Sequence, residues 1–134
     1  MAAKRMTKED HPQSFGTFKP VGHVVVALAD DTQAAAAVKD LLADGFERED
    51  VLEYTAAEEE NEMRRMLQYA SDFAGFGYEV TLMRKYKQLA EEGASWLIVF
   101  APDDDRAQKV AKVARRHGAL LAEKYHLLAI EDLI

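Results

Sequence analysis

The sequence contains no cysteine. Disulfide-stapled scaffolds, thiolate metal sites and cysteine nucleophiles are therefore excluded. Long apolar runs are also missing, because no stretch approaches the ~20 apolar residues of a membrane-spanning helix. The charged segment 1–20 is not followed by the apolar stretch of a secretory signal. These absences predict a soluble, cytoplasmic protein without a membrane partner.

Positive charge is scarce. The chain has 17 Lys and Arg residues against 24 Asp and Glu residues, which gives a formal net charge of −7. Binding to a nucleic acid needs a basic surface that neutralises phosphates, so a nucleic-acid partner is not expected. The remaining composition, 49% apolar and 31% charged over 134 residues, is that of one packed domain and not of a disordered tail.

Proline and glycine are few, and several of them lie near the start of the chain. Pro12, Gly16 and Pro20 interrupt a polar stretch, which predicts an N-terminal arm over residues 1–20 and a single domain over residues 21–134. Phe15 and Phe18 are the large side chains that we expect to anchor this arm.

Two short apolar runs, residues 23–29 and 96–101, have no helical stripe and predict strands buried on both faces. Each run is followed by Asp residues of the helix-capping type, by an Ala-rich helix, and by a glycine that ends the helix. The second helix has an apolar face of Ala107, Val110, Ala111, Val113 and Ala114. Shorter strands over residues 51–55 and 120–128 complete each half.

Two such strand–helix–strand units are typical of the ferredoxin-like, split βαβ arrangement. We therefore predict an α+β fold with a four-stranded antiparallel sheet that carries two helices on one face. The two apolar strands would be antiparallel neighbours at its centre. Their Asp clusters, at residues 30–31 and 103–105, would then lie at opposite ends of the sheet, so we interpret them as helix caps and not as one metal site.

Residues 57–93 form an insertion between the halves and predict a helical hairpin. Apolar residues recur at three- and four-residue intervals in each helix. They are Met63, Met66, Leu67, Ala70, Phe73 and Ala74 in the first, and Val80, Met83, Tyr86, Leu89 and Ala90 in the second, joined at Gly75–Gly77. Such a stripe must be covered by its own sheet or by another subunit, and we favour a homo-oligomer, either a dimer or a larger assembly.

Two long segments carry a family resemblance. Residues 86–101, YKQLAEEGASWLIVFA, precede an acidic cap, a helix and His117–Ala119, and residues 24–51 read VVVALADDTQAAAAVKDLLADGFEREDV. Both resemble the bacterial general-stress (heat-induced stress protein, 17M-type) domain family, over about residues 23–125. The resemblance implies a ferredoxin-like fold and a stress-linked accessory role without an assigned reaction. The acidic, Met-rich helix 58–74 departs from the glycine- and alanine-rich insertion of many members.

The spacing of the histidines does not indicate a metal site, because none of them forms a close H-x-x-x-H pair. His23 and His126 fall on strands that the predicted order makes neighbours. A two-histidine site with Glu123 or Glu131 is therefore an alternative to ordinary half-buried histidines. We expect His117 to be a cation at a helix C-terminus. No metal or cofactor and no catalytic residue is predicted.

A receiver domain also places Asp residues after buried strands, but too few residues follow Asp105 to complete that fold. We name Tyr86, Trp96, Arg84, His23 and His126 as candidate ligand-binding residues. The leading hypothesis is a non-enzymatic accessory domain that acts through self-association or protein contact. The alternatives are a small-ligand sensor with a pocket between hairpin and sheet, and a small enzyme that uses a histidine as acid or base.

Overall fold

The structure is a computed structural model and describes residues 5–7, 20–70, 77–126 and 129–134. Within these residues the chain forms four α-helices, five strands and a short 3₁₀ turn at residues 48–50. In chain order the helices and strands are β1 (His23–Leu28), α1 (Asp31–Ala43), β2 (Val51–Tyr54), α2 (Ala56–Ala70), α3 (Gly77–Glu91), β3 (Ser95–Phe100), α4 (Asp104–Arg116), β4 (Leu121–Tyr125) and β5 (Ile130–Asp132).

All five strands join in one antiparallel sheet with the order β2-β3-β1-β4-β5. This confirms the α+β class. The two apolar strands β1 and β3 are antiparallel neighbours, as predicted, with His23 opposite Phe100 and Leu28 opposite Ser95. Both are buried along almost their whole length, which explains why their sequences do not alternate between apolar and polar residues.

The end of the sheet differs from the prediction of one last strand over residues 120–128. The strand ends at Tyr125, where the His126 N–H donates to the Ala129 carbonyl over 2.8 Å. The chain then returns as β5, and the Leu133 N–H donates to the Ala122 carbonyl over 2.8 Å. The sheet therefore has five strands where four were expected.

Helices α1 and α4 cover one face of the sheet. The apolar residues predicted for α4 are all buried there, together with Val24, Val26 and Leu28 of β1. Asp30 and Asp103 cap the two helices: their carboxylates accept from the Gln33 and Arg106 N–H groups over 2.9 and 2.8 Å. The capping interpretation is confirmed for these two residues.

Helices α2 and α3 pack against each other and cover the opposite face, which we call the hairpin face. Met63, Tyr86 and Ala90 pack there against Val25 and Ile98 of the sheet. The described part of the apolar stripe is therefore covered within the chain, and self-association is not needed to cover it. Several residues of the predicted stripe and joint lie outside the described side chains, namely Met66, Leu67, Ala70, Phe73, Ala74, Gly75, Phe76, Gly77, Val80 and Met83.

Part of the N-terminal segment is held against the domain. The Met6 side chain is buried, and its N–H donates to His23 Nε2 over 3.1 Å. Arg5 forms ion pairs with Glu47 and Asp50 at 3.2 and 3.1 Å. Met6 is thus an anchor that the sequence reasoning missed, whereas the predicted anchors Phe15 and Phe18 lie outside the described residues.

None of the helices in the described ranges is both long enough and apolar enough to span a bilayer.

Candidate functional site

A buried polar cluster lies between the hairpin and the sheet. The Tyr86 hydroxyl, on α3, donates to Glu123 Oε1 over 3.2 Å and lies 3.0 Å from the Tyr125 hydroxyl. Glu123 and Tyr125 belong to β4 and point to the same face because they are two residues apart. All three side chains are buried. The cluster therefore links the inserted hairpin to the sheet by hydrogen bonds and not by apolar contact alone.

Burial changes the acid–base behaviour of this cluster. It raises the pKa of Glu123, an effect partly offset by the positive charge of Lys85 and by the hydrogen bond from Tyr86. Burial also raises the pKa of Tyr86 well above its usual value, and the nearby Tyr125 and Glu123 raise it further. Tyr86 therefore stays neutral and serves as a hydrogen-bond donor at physiological pH.

Trp96, the single tryptophan, packs beside this cluster. Its ring centroid lies 5.0 Å from that of Tyr86, and both residues are fully buried. Among the described residues, Trp96 Nε1 is a buried donor with no hydrogen-bond partner. An indole N–H in such a position costs free energy unless a partner reaches it.

Acidic side chains at the start of α2 lie near Tyr54. Tyr54 ends β2, and its side chain is buried on the hairpin face. Burial raises the pKa of Tyr54, and Glu59, Glu62 and Glu58 raise it further by their negative charge. Glu59 is itself fully buried. The start of α2 therefore places negative charge near β2, which is an edge strand of the described sheet.

A groove of about 490 Å³ runs along β2, and we call it the β2 groove. Every residue from Val51 to Thr55 lines it, so it follows the strand over its full length. Its other lining residues come from α1, from Arg48, from the start of α2 and from the start of β3: Asp31, Ala34, Ala35, Arg48, Glu58, Ser95 and Trp96.

Each carboxylate of the β2 groove is held by a neighbour. Asp31 accepts a hydrogen bond from the Ser95 hydroxyl. Glu58 accepts from the Thr55 N–H over 3.0 Å, and Thr55 Oγ1 accepts from the Glu58 N–H over 3.1 Å. This reciprocal pair is a capping box, and the T-x-x-E spacing before the α2 stripe is the sequence signal that would have revealed it. Glu53 forms an ion pair with Arg48 at 3.5 Å.

The structure brings only two of the five candidate ligand-binding residues together. Tyr86 and Trp96 are in ring contact, as described above. Arg84 is exposed on α3, whereas Tyr86 on the same helix is fully buried. The remaining two candidates are His23 and His126.

His23 and His126 do not form the two-histidine arrangement considered from the sequence. His23 Nδ1–H donates to the Val21 carbonyl over 2.9 Å while Nε2 accepts from the Met6 N–H, so both ring nitrogens have backbone partners and Nε2 holds the N-terminal segment. His126 lies after β4 and not on a strand, and its Nε2 lies 2.9 Å from Glu131. No cluster of three or more potential metal ligands occurs in the part of the chain that the structure describes.

His117 ends α4 and contacts α1. Its Nε2 lies 2.7 Å from Asp40 Oδ2, which also accepts from Arg116 over 3.0 Å. Hydrogen bonds from His117 and Arg116 hold the pKa of Asp40 below its usual value. The expected position of His117 at a helix C-terminus is confirmed, and its partner is a carboxylate of the neighbouring helix.

Sequence reasoning missed Tyr125 in the buried cluster and missed Tyr54 and Glu59 near the start of α2, and it considered Glu123 only as a neighbour of the histidines. A signal for Glu123 existed, because a charged residue inside an otherwise buried strand needs a partner. Its partner Tyr86 is far away in the chain, so the pairing depends on how the hairpin folds back.

Comparison with known proteins gives no relative: no family model, no curated protein and no solved structure matches the chain.

Proposed function

We propose that this protein is a non-enzymatic accessory domain that contacts another protein along β2, which forms one edge of the sheet in the described residues. The observation that carries the proposal is the β2 groove, which every residue from Val51 to Thr55 lines. β2 is the last strand of the described sheet on this side, so alternate backbone N–H and C=O groups along it point away from β3. An extended segment of a partner adds to such an edge by pairing with these groups. The Val51 and Thr55 N–H groups at its two ends already donate to the Arg48 carbonyl and to Glu58 Oε1, so pairing would use the groups between them.

The surrounding elements favour an extended occupant. The groove has the N-terminal part of α1 on one side and the start of α2 on the other. Five residues of extended chain span about 16 Å. A partner segment of similar length would lie along β2 between the two helices, and its side chains would point alternately toward each of them.

The small-ligand alternative has less support. It places the ligand between the hairpin and the sheet, where Tyr86 and Trp96 are fully buried against each other. Neither ring therefore presents exposed surface to a ligand.

Strand order supports a finer proposal about the fold. The order β2-β3-β1-β4, with α1 and α4 on one face, supports a ferredoxin-like split βαβ unit as the basic fold. We propose that β5 and the α2–α3 hairpin are additions to this unit. The stress-linked role that the family resemblance implies is part of the same proposal, since an accessory role needs a binding surface and no reaction.

The proposal is tested by photo-crosslinking from the edge strands. A benzoylphenylalanine replaces Glu53 on β2 or, as the matched control, Glu131 on β5, because both are exposed residues within an edge strand. We expect adducts from position 53 that map to one contiguous segment, either of a partner in the native cells or of a second copy. The corresponding synthetic peptide should slow amide hydrogen exchange in β2 and not in β5.

Two results would contradict the proposal. The first is the same set of adducts from positions 53 and 131. The second is a crosslinked segment whose peptide leaves amide exchange in β2 unchanged.

A further inference from the structure

We infer that the partner segment taken up by the β2 groove is basic, with Lys or Arg side chains alternating along an extended chain. This inference rests on the proposed function, because it names the chemical class of the segment that pairs with β2. The evidence for it is the excess of carboxylates around β2 and the hydrogen bonds that fix their positions.

The groove is negatively charged. Three carboxylates line it, those of Asp31, Glu53 and Glu58, and Arg48 is the one basic residue among its described lining residues. Arg48 is already paired with Glu53. A segment that enters the groove with Lys or Arg side chains offsets the excess negative charge, whereas an acidic segment meets like charges.

The carboxylates flank the strand on both sides. Asp31 belongs to the first turn of α1, and Glu58 belongs to the first turn of α2. Side chains of an added strand point alternately to the two sides of the sheet, so basic residues on either side find an acidic residue. The small Ala34 and Ala35 line the α1 side and leave room for long side chains there.

Hydrogen bonds fix the positions of these carboxylates without using up their acceptor capacity. Asp31 accepts from Ser95 and Glu58 accepts from the Thr55 N–H. A carboxylate offers about four lone-pair positions, so each can accept a further bond from an ammonium or guanidinium group. Because the acceptors are held in place by the fold, less conformational freedom is lost on binding.

Two helix N-termini border the groove, and helix N-termini generally favour anions. Here both first turns already carry their own acidic residues. Asp30 caps α1, with Asp31 in its first turn, and the Thr55–Glu58 capping box occupies the start of α2. The helix dipoles therefore do not reverse the preference for a cation.

A second copy of this chain is a poorer occupant. It would bring another β2, including a second Glu53, toward the same acidic groove. Each copy also has a net charge of −7. Pairing of two β2 edges would therefore place like charges together, which is why we favour a different, basic partner.

The test uses three synthetic heptapeptides with blocked ends, in which Val alternates with Lys, with Glu or with Gln. Binding to the full chain is followed by the fluorescence of Trp96, the single tryptophan and a lining residue of the groove, and by calorimetry. We expect the Lys peptide to bind about tenfold more tightly than the Glu peptide at low salt, with the difference much reduced at about 1 M salt.

Matched variants test whether the carboxylates of the groove cause the preference for the Lys peptide. Glu53→Gln and Glu58→Gln should each reduce the Lys-over-Glu ratio by about two- to fivefold. Glu58→Gln keeps the capping box, because Gln serves in the same position. Glu131→Gln, at the opposite edge of the sheet, is the control and should leave the ratio unchanged.

The outcomes separate the two proposals. If the Glu peptide binds as tightly as the Lys peptide, the basic preference is wrong and pairing at β2 stands. If none of the three peptides binds up to millimolar concentration while adducts from position 53 map to a second copy, the groove serves self-association and the inference is overturned. If no peptide binds and position 53 gives no specific adducts, both proposals fail.

Discussion

The hydroxyl groups of Tyr86, on α3, and Tyr125, on β4, lie 3.0 Å apart in the buried space between the hairpin and the sheet. Glu123 accepts from the same Tyr86 hydroxyl, so one side chain of the insertion bonds with two side chains of the sheet. The inserted hairpin is thereby fixed in one position over the sheet, because polar partners must meet at specific distances while apolar contacts tolerate small shifts.

Replacing Tyr86 with Phe should therefore destabilise the protein. The ring still packs against Trp96, but the bonds to Glu123 and Tyr125 are lost, and we expect a decrease of about 1–3 kcal/mol in the free energy of unfolding, measured in urea. Tyr125→Phe is the matched control, because it removes the bond between the hydroxyls and keeps the bond to Glu123. A Tyr86→Phe variant as stable as the wild type would show that the cluster does not fix the hairpin.

The raised pKa of Glu123 predicts a particular pH dependence. A group whose pKa is higher in the folded state stabilises the protein below its unfolded value, near 4.5, and this contribution is lost as pH rises through the folded pKa. Glu123→Gln should therefore gain stability relative to the wild type as pH rises above 4.5. Thermal unfolding from pH 4 to 8 measures this, and a constant difference between the two proteins would contradict it.

Asp40 should show the opposite pH dependence. Its pKa is lowered by the hydrogen bonds from His117 and Arg116, so its contribution is present above the usual value of 3.8 and is lost as pH falls through the lower folded pKa. Asp40→Asn should therefore melt at a lower temperature than the wild type near neutral pH, and the difference should shrink at low pH. Asp44→Asn, on the exposed end of the same helix, is the control. A difference that persists below pH 3 would argue against this ion pair.

The bond from the Met6 N–H to His23 predicts protection against trypsin. Trypsin cleaves after Arg5 only when residues on both sides of the bond leave the domain, and Met6 is buried. We expect His23→Ala to speed cleavage at this position, as judged by mass spectrometry of the digest. Met6→Ala should do so as well and should lower the free energy of unfolding by about 2–5 kcal/mol. Equal cleavage rates in wild type and His23→Ala would contradict this role for His23.

The capping box at the start of α2 can be tested separately. Thr55→Ala removes the acceptor for the Glu58 N–H and should destabilise the protein by about 1 kcal/mol. Amide exchange at the start of α2 should increase, while Thr32→Ala, within the exposed first turn of α1, should leave it unchanged. Unaltered exchange in Thr55→Ala would mean that packing alone holds this end of the helix.

Local patterns in the sequence were enough to predict most of the helices and strands. β1 and β3 are continuous apolar runs, and α4 has a clear stripe that ends before Gly118, whose φ of +63° favours glycine. The Asp residues that follow the two strands indicate helix caps for the same local reason. Such signals act between residues a few positions apart, so they can be recognised without knowing the tertiary structure.

Contacts between residues far apart in the chain could not be predicted without the tertiary structure. Tyr86 and Trp96 were both noted in the sequence, but Glu123 and Tyr125 joined them only because the hairpin folds back onto the sheet. β5 was missed because a three-residue strand is too short to show a pattern, and its pairing with β4 is a tertiary contact.

The sequence by itself determined the α+β class, the order of most elements and the absence of cysteine chemistry, because composition and short-range periodicity fix these. The tertiary structure decided that the hairpin covers its own sheet, that His23 holds Met6 and that β2, the last strand on its side among the described residues, lies beside an acidic groove. The physical reason is that burial and charge at a site are sums over neighbours in space, and the chain order does not specify those neighbours.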